Sequence, residues 1–351
     1  MTPLKSILRH LIHSDGPISL ARFMAECLLH PQHGYYTTRR PFGAKGDFIT
    51  APEISQMFGE LIGLAIAQSW LDQGAPSQIT LAEYGPGRGT LMADVLRATR
   101  AVPGFHRAIQ ILLLEAAPAL REVQKATLSA YAPHWIERPQ ELPDQPLFLL
   151  ANEFFDALPV HQFERGEKGW HERLVGATET GLCFGLSAPL PPDAFDPRFA
   201  GDRLGTVVEI CPAALAPVQV AADRIRRHGG LALIVDYGGW RSKGDTLQAL
   251  QAHTYTDPLD APGEADITAQ VDFEALMQAA DLAHSFTTQG LFLKALGIKA
   301  RALALAANLS GAALDNHLAA AQRLTAATEM GELFKVLALY PTTAPLPPGY
   351  S

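Results

Sequence analysis

The segment Glu83-Tyr84-Gly85-Pro86-Gly87-Arg88-Gly89-Thr90 limits more than any other what this chain can become. The apolar run ITLAEYG (79–85) reads as a buried strand ending in a turn, and TLMADVLRATR (90–100) reads as a helix. Three glycines at alternate positions between them let the backbone turn sharply and let a ligand approach without Cβ clashes. The spacing is GxGxG, not the GxGxxG of a dinucleotide fingerprint, which disfavours an NAD-dependent oxidoreductase.

The same alternation continues downstream. IQILLLEA (109–116) reads as a second strand, ALREVQKATLSAY (119–131) as a helix and PLFLLANEFF (146–155) as a third strand. LALIVDYG (231–238) is another strand, preceded by a helix over 213–228. Strands alternating with helices predict an α/β fold, a Rossmann-like parallel sheet with helices on both faces. Before it, residues 4–13 and 19–29 have helical spacing, with Ser19 placed to cap the second helix. Residues 54–73 read as an amphipathic helix, and 30–53, rich in Gly, Pro and aromatics, as a loop that covers a site. The reading therefore divides the chain into N-terminal helices with a covering loop (1–75) and a sheet domain (76–351). That domain carries an antiparallel β insertion at about 160–205, a helical segment at about 300–330, a terminal strand over 332–340 and a loose, extended tail over 341–351.

Composition removes several function classes. A net charge of −8 over 351 residues argues against an extended nucleic-acid surface, which needs clustered Lys and Arg. The three cysteines, Cys27, Cys183 and Cys211, form no CxxC pair, so neither a disulfide framework nor a cysteine zinc site is expected. The twelve histidines form no HExxH-like motif, and no metal is expected. No run approaches the roughly 20 apolar residues of a membrane span, and the first residues do not read as a secretory signal. A cytoplasmic location is the resulting expectation.

The residue chemistry at the sheet edge points to a nucleoside cofactor. S-adenosylmethionine has no pyrophosphate to place at a helix N-terminus, but its sulfonium and α-amino group favour a nearby carboxylate. Glu83 can supply one, directly or through water, while Gly85, Gly87 and Gly89 admit the nucleoside and amino-acid parts. Glu115, at the end of the second strand, is placed to accept hydrogen bonds from ribose hydroxyls. Asn152 lies at the same edge, within reach of the donor's amino group or of an acceptor. The bland alternatives are a simple structural turn for the glycine segment and a surface acid for Glu115.

Longer motifs carry a family resemblance. They include Gly46-Asp47-Phe48-Ile49-Thr50-Ala51-Pro52-Glu53-Ile54-Ser55 and Asn152-Glu153-Phe154-Phe155-Asp156-Ala157-Leu158-Pro159-Val160. Gly34-Tyr35-Tyr36, Val208-Glu209-Ile210-Cys211-Pro212, Asp236-Tyr237-Gly238 and Gly290-Leu291-Phe292-Leu293 join them. With these the chain resembles the MidA family of methyltransferases over nearly its whole length. The resemblance implies a Rossmann-like core with added segments and S-adenosylmethionine as methyl donor. For mitochondrial members it implies methylation of an arginine in a 49-kDa-type complex I subunit during assembly. A protein partner is thus expected, with no nucleic acid and no integral membrane segment.

Arginine as acceptor asks for carboxylates, because a guanidinium stays protonated in water and must be oriented as it loses a proton. Glu153 and Asp156 are the catalytic candidates, with Glu153 the stronger proton acceptor. The alternative is that Asp156 caps a helix and Glu153 pairs with a structural arginine. Asp47, Thr50, Pro52 and Glu53 are placed to close over the donor, although Thr50 and Glu53 also fit a capping box. Tyr36, Asp47, Glu53, Asp236 and Tyr237 are the candidate acceptor-binding residues. Transfer to another acceptor, or a cofactor-binding assembly factor without essential catalysis, stays open at this level.

Overall fold

The computed structural model describes residues 2–38, 50–191 and 195–350. The chain packs as two compact units. The first takes the chain up to residue 38, Asp156–Leu215 and Gly239–Asp272; the second takes residues 50–155, Ala216–Gly238 and the chain from Phe273 onward. This partition differs from a boundary near residue 75. The helix Gln56–Asp72 puts Phe58, Leu61, Ile62, Ile66 and Trp70 into the same core as the sheet, and so belongs with it.

In the first unit, helix Pro3–Asp15 starts at Thr2, whose Oγ1 accepts from the Lys5 N–H at 3.1 Å. Leu4, Leu8 and Ile12 recur every fourth residue and are buried. Ser19 caps helix Leu20–Leu29 by accepting from the Arg22 N–H, as its position in the sequence predicts. These helices share a core with Val160, Val175, Leu259 and Ile267. Strands His161–Gly166, Gly169–Ala177, Leu182–Pro189 and Val207–Ile210 form the expected antiparallel insertion. A further small sheet, Gln248–Gln251 with Thr254–Thr256 and Asp266–Thr268, had no legible pattern, because its strands are three or four residues long and largely polar.

The second unit holds the parallel sheet. Its main strands are β1 (Ile79–Tyr84), β2 (Ile109–Leu114), β3 (His134–Ile136), β4 (Leu147–Asn152), β5 (Gly230–Gly239), β6 (Ala283–Thr288) and β7 (Phe334–Tyr340). They lie in the order β6-β7-β5-β4-β1-β2-β3. The pairs β1·β2, β1·β4, β2·β3 and β4·β5 are parallel, while β7 runs antiparallel between β5 and β6. Strand order reverses between β1 and β4, and in sheets of this kind the crevice beyond that switch point takes the ligand.

Helices α1 (Gln56–Asp72), α2 (Thr90–Ala98), α3 (Pro118–Thr127), α4 (Leu215–His228) and α5 (Ile298–Ala306) belong to this layering. The predicted helix over 54–73 begins slightly later, since Ser55 breaks the chain and caps α1 by accepting from the Met57 N–H. It is also less amphipathic than expected, with buried residues around most of its circumference. Gly59 and Gly63 sit where α1 meets α2. A Cβ on Gly63 would lie 2.8 Å from the Val95 Cα, so only glycine permits this approach. The tail is not loose: Tyr350 packs on Phe292 with ring centroids 5.3 Å apart, and its hydroxyl is buried. Prolines keep the tail out of helix and ladder without preventing an extended segment from burying an aromatic ring.

Candidate active site

The glycine turn leaves β1 as the spacing predicts. Gly85, Gly87 and Gly89 have φ of +63°, +51° and +80°, a region L side chains rarely adopt. At Gly85 a Cβ would also lie 2.9 Å from Phe154 Cδ2. The turn is closed by Gly89 N–H to Pro86 O at 2.7 Å, and Gly85 N–H ties it to Leu114 O on β2. Gly89 then opens α2.

Pleating decides which acids share a face. Glu83 of β1 pairs in register with Leu150 of β4, and Asn152 lies two residues on, so Glu83 and Asn152 point to the same side. Both are buried, and Glu83 Oε2 and Asn152 Oδ1 have no hydrogen-bond partner among the described residues. Burial pushes the Glu83 carboxyl up to about 8, with a hydrogen bond to the Met92 backbone pulling it down. Two orphaned acceptors on adjacent strand ends suit a cationic donor group, and the α-amino group of S-adenosylmethionine is one.

Glu115 follows β2 directly. Its Oε1 accepts from the Ala117 N–H at 2.8 Å and its Oε2 from Gln124 Nε2 at 3.0 Å. Burial raises its pKa, and these hydrogen bonds with nearby Arg121 oppose the rise. With backbone hydrogen bonds from Ala117 and Ala116 and one from Gln124, the carboxylate still keeps acceptor capacity for a ribose hydroxyl. The glycine cradle, the orphaned pair and Glu115 fit a sulfonium nucleoside.

Glu153 has φ of +52°, strained for a residue with a Cβ. Its N–H donates to Val235 O, and its Oε1 accepts from Asn152 Nδ2 at 3.0 Å and the Ala51 N–H at 3.3 Å. Its carboxylate is thereby tied to the short helix Ala51–Ile54. Asp156 belongs to the other unit. There Asp156 is buried and acts electrostatically on Tyr36, whose hydroxyl donates to Asp266 Oδ1 at 2.8 Å. Burial, then Asp266 and Asp156, push the Tyr36 phenol well up. Tyr35 is fully buried and packs in the core of this unit.

Several expectations need correction. Thr50 makes no side-chain cap, so the capping box is not formed. Glu53 instead accepts from Thr90 Oγ1 at 2.6 Å, tying helix Ala51–Ile54 to the first residue of α2. Pro52 is buried in the first turn of that short helix. Asp47 and Phe48 lie outside the described residues. Asp236, expected to line the acceptor cleft, is fully buried, with Oδ2 accepting from the Phe155 N–H and Oδ1 from the Tyr237 N–H, each at 3.0 Å. Because Val235 is the residue in register with Asn152, the pleat sends Asp236 to the opposite face, where it fixes the turn after β4. Tyr237 is likewise buried, its ring 5.8 Å from Phe334. Sequence reasoning missed Gln124 altogether; it sits on α3 with nothing in its immediate neighbours to mark it.

A Rossmann-like sheet with this cradle at its switch point defines the class, a methyltransferase that uses S-adenosylmethionine. A family model for S-adenosyl-L-methionine-dependent methyltransferases matches residues 61–292. The chain belongs to this family, the MidA family of methyltransferases, and is an enzyme with S-adenosylmethionine as cofactor. It is 39% identical to the mitochondrial protein arginine methyltransferase NDUFAF7 of Danio rerio, over 85% of this chain and 78% of that protein. It is 36% identical to the Homo sapiens protein of the same name, over 97% of this chain and 84% of that one. A crystal structure from Burkholderia thailandensis bound to S-adenosyl-homocysteine superposes with a TM-score of 0.84 at 29% identity, covering 99% of this chain and 94% of that one.

Those relatives also correct the cytoplasmic expectation, since they are named mitochondrial proteins. Sparse cysteines do not select the cytoplasm, since more than one compartment keeps thiols reduced. Among the described residues no helix is long and apolar enough to cross a membrane, and no group of three or more His, Cys, Asp or Glu is placed to hold a metal ion.

Proposed function

We propose that this methyltransferase modifies a guanidinium nitrogen of an arginine in a protein substrate, a complex I subunit of the 49-kDa type, during assembly of that complex. The names of the relatives support arginine in a protein as acceptor. The family resemblance of the GDFIT-PEIS and NEFFDALPV segments supports the subunit. The observation that carries the reading is Glu153, a partly exposed carboxylate held in strained backbone at the carboxyl edge of the sheet, next to the orphaned pair. Strain of about 1–3 kcal/mol is retained where function needs the geometry.

Bound S-adenosylmethionine would supply an electrophilic methyl group, its S–CH3 bond breaking to leave the neutral thioether S-adenosylhomocysteine. Glu83 and Asn152 accept hydrogen bonds from the donor's α-amino group, and Glu115 from its ribose hydroxyls. Glu153 grips the guanidinium, aims one nitrogen and takes the proton released as that nitrogen is alkylated.

Incubation with methyl-labelled donor and the candidate subunit, followed by peptide mass spectrometry, tests this. Label is expected on one or more arginines. Glu153→Gln is expected to lower turnover by about 10²-fold or more with donor affinity kept. Full turnover in that variant sinks the assignment of Glu153. Label on a non-arginine residue sinks the acceptor.

A further inference from the structure

Gln124 is fully buried on α3 and makes three hydrogen bonds through its side chain. Its Nε2 donates to Gly87 O at 2.8 Å and to Glu115 Oε2 at 3.0 Å. Its Oε1 accepts from Trp135 Nε1 at 2.7 Å. The indole N–H can only donate, so it holds the amide oxygen on its own side. Both amide protons then face the two acceptors. A flipped amide would set its oxygen against the Gly87 carbonyl and the Glu115 carboxylate, and its NH2 against the indole N–H. One orientation is therefore satisfied and the other is opposed at every contact.

The two acceptors belong to different walls of the cofactor site. Gly87 is the centre of the glycine turn after β1, and Glu115 is the acid after β2. Strand pairing ends at Leu114, so the ladder does not fix the Glu115 side chain. Its carboxylate is oriented by the Ala117 N–H and by Gln124. α3 also packs on the turn itself, where a Cβ on Gly89 would meet Gln124 Cα at 3.6 Å.

We propose that Gln124, with its amide locked by Trp135, is the positioning residue that sets the glycine turn and the ribose-binding carboxylate at a fixed separation, and so selects a nucleoside with free ribose hydroxyls. This rests on the assignment of Glu115 to the ribose. Gln124 itself does not touch the ligand; it acts through Gly87 and Glu115.

The test measures calorimetric affinity for S-adenosylhomocysteine and for its 2′,3′-dideoxy analogue, with folding of each variant checked by circular dichroism. Gln124→Leu keeps the volume and removes all three hydrogen bonds. It is expected to weaken S-adenosylhomocysteine by about tenfold or more, the scale of one hydrogen bond to a charged group, and the dideoxy analogue far less. Trp135→Phe frees the amide to turn and is expected to give a smaller loss with the same ribose dependence. Gln124→Glu sets a second carboxyl against Glu115. Relative to the wild-type chain at the same pH, its binding is expected to be poor at about pH 8 and to recover toward about pH 5.5, where one proton is shared between the two and a donor returns.

Equal weakening of both ligands in the Leu and Phe variants, or a ratio of Glu-variant to wild-type affinity that is flat in pH, overturns the inference in favour of simple packing. The pH series decides the matter if the Leu variant does not fold. Glu115→Gln separates the two levels. If it weakens both ligands equally, the ribose assignment falls and this inference with it. If it weakens S-adenosylhomocysteine more than the dideoxy analogue while the Gln124 variants weaken both equally, only the positioning role falls.

Discussion

Glu83 shows what burial does to one carboxyl at the end of a strand. With its pKa pushed up to about 8 by burial, the free protein holds it largely protonated at pH 7. A cationic amino group beside it favours the ionised form, so binding of S-adenosylhomocysteine is expected to release a proton at pH 7. Affinity is then expected to rise between about pH 6 and 8, by up to about tenfold per unit. Calorimetry in buffers of different ionisation heat measures that proton, and Glu83→Gln is expected to lose both proton and pH dependence. Stability runs the other way. The unfolded chain releases this proton near 4.5 while the folded chain keeps it to about 8, so the fold loses stability as pH rises through that interval. Glu83→Gln is therefore expected to raise Tm at about pH 8 but not at about pH 4; an unchanged Tm at the higher pH would contradict the burial argument. At this scale Glu83 and Glu115 were legible because a strand-end acid beside a glycine turn is a local pattern. Asp236 was misread for the same reason: it too ends a strand, but which face it takes depends on its register with β4.

The contact between α1 and α2 is governed by two small residues. Gly59 would put a Cβ 2.6 Å from Asp94 Cβ, and Gly63 one 2.8 Å from Val95 Cα. In an open helix Gly→Ala stabilises by about 0.5–1 kcal/mol. At Gly63 the sign is expected to reverse, with Gly63→Ala costing about 1–3 kcal/mol through overpacking against the Val95 backbone. Urea unfolding reads the sign directly, and a stabilised variant would mean the helices do not pack so closely. Nearby, burial raises the Glu60 carboxyl, but hydrogen bonds from Arg301 and Arg97 outweigh that and leave it below the ordinary value. The same acid thus joins α1 to α2 and to α5. Helix α1 itself was legible from its apolar run. Its start was not, because Thr50 and Glu53 mimic a cap that Ser55 supplies, and Glu53 is drawn off to Thr90 by tertiary contact.

Across the whole chain, distant segments close the parallel-sheet unit. β7 enters between β5 and β6 near the C-terminus, and the tail beyond it returns to cover Phe292 with Tyr350. Deletion of residues 342–351 is expected to destabilise this unit by about 2–3 kcal/mol, the scale of uncovering one large apolar side chain. A denaturation midpoint equal to that of the full chain would show that the tail adds nothing. By itself, the sequence determined the parallel sheet, the antiparallel insertion and the glycine turn with acids at the adjoining strand ends, because periodicity and turn chemistry are written in neighbours. Only the tertiary structure decided that Asn152 shares a face with Glu83, that Asp236 does not, that Glu153 and Asp156 fall in different units, and that Gln124 bridges two loops. Those outcomes depend on register and on contacts between residues far apart in the chain, which no local pattern encodes.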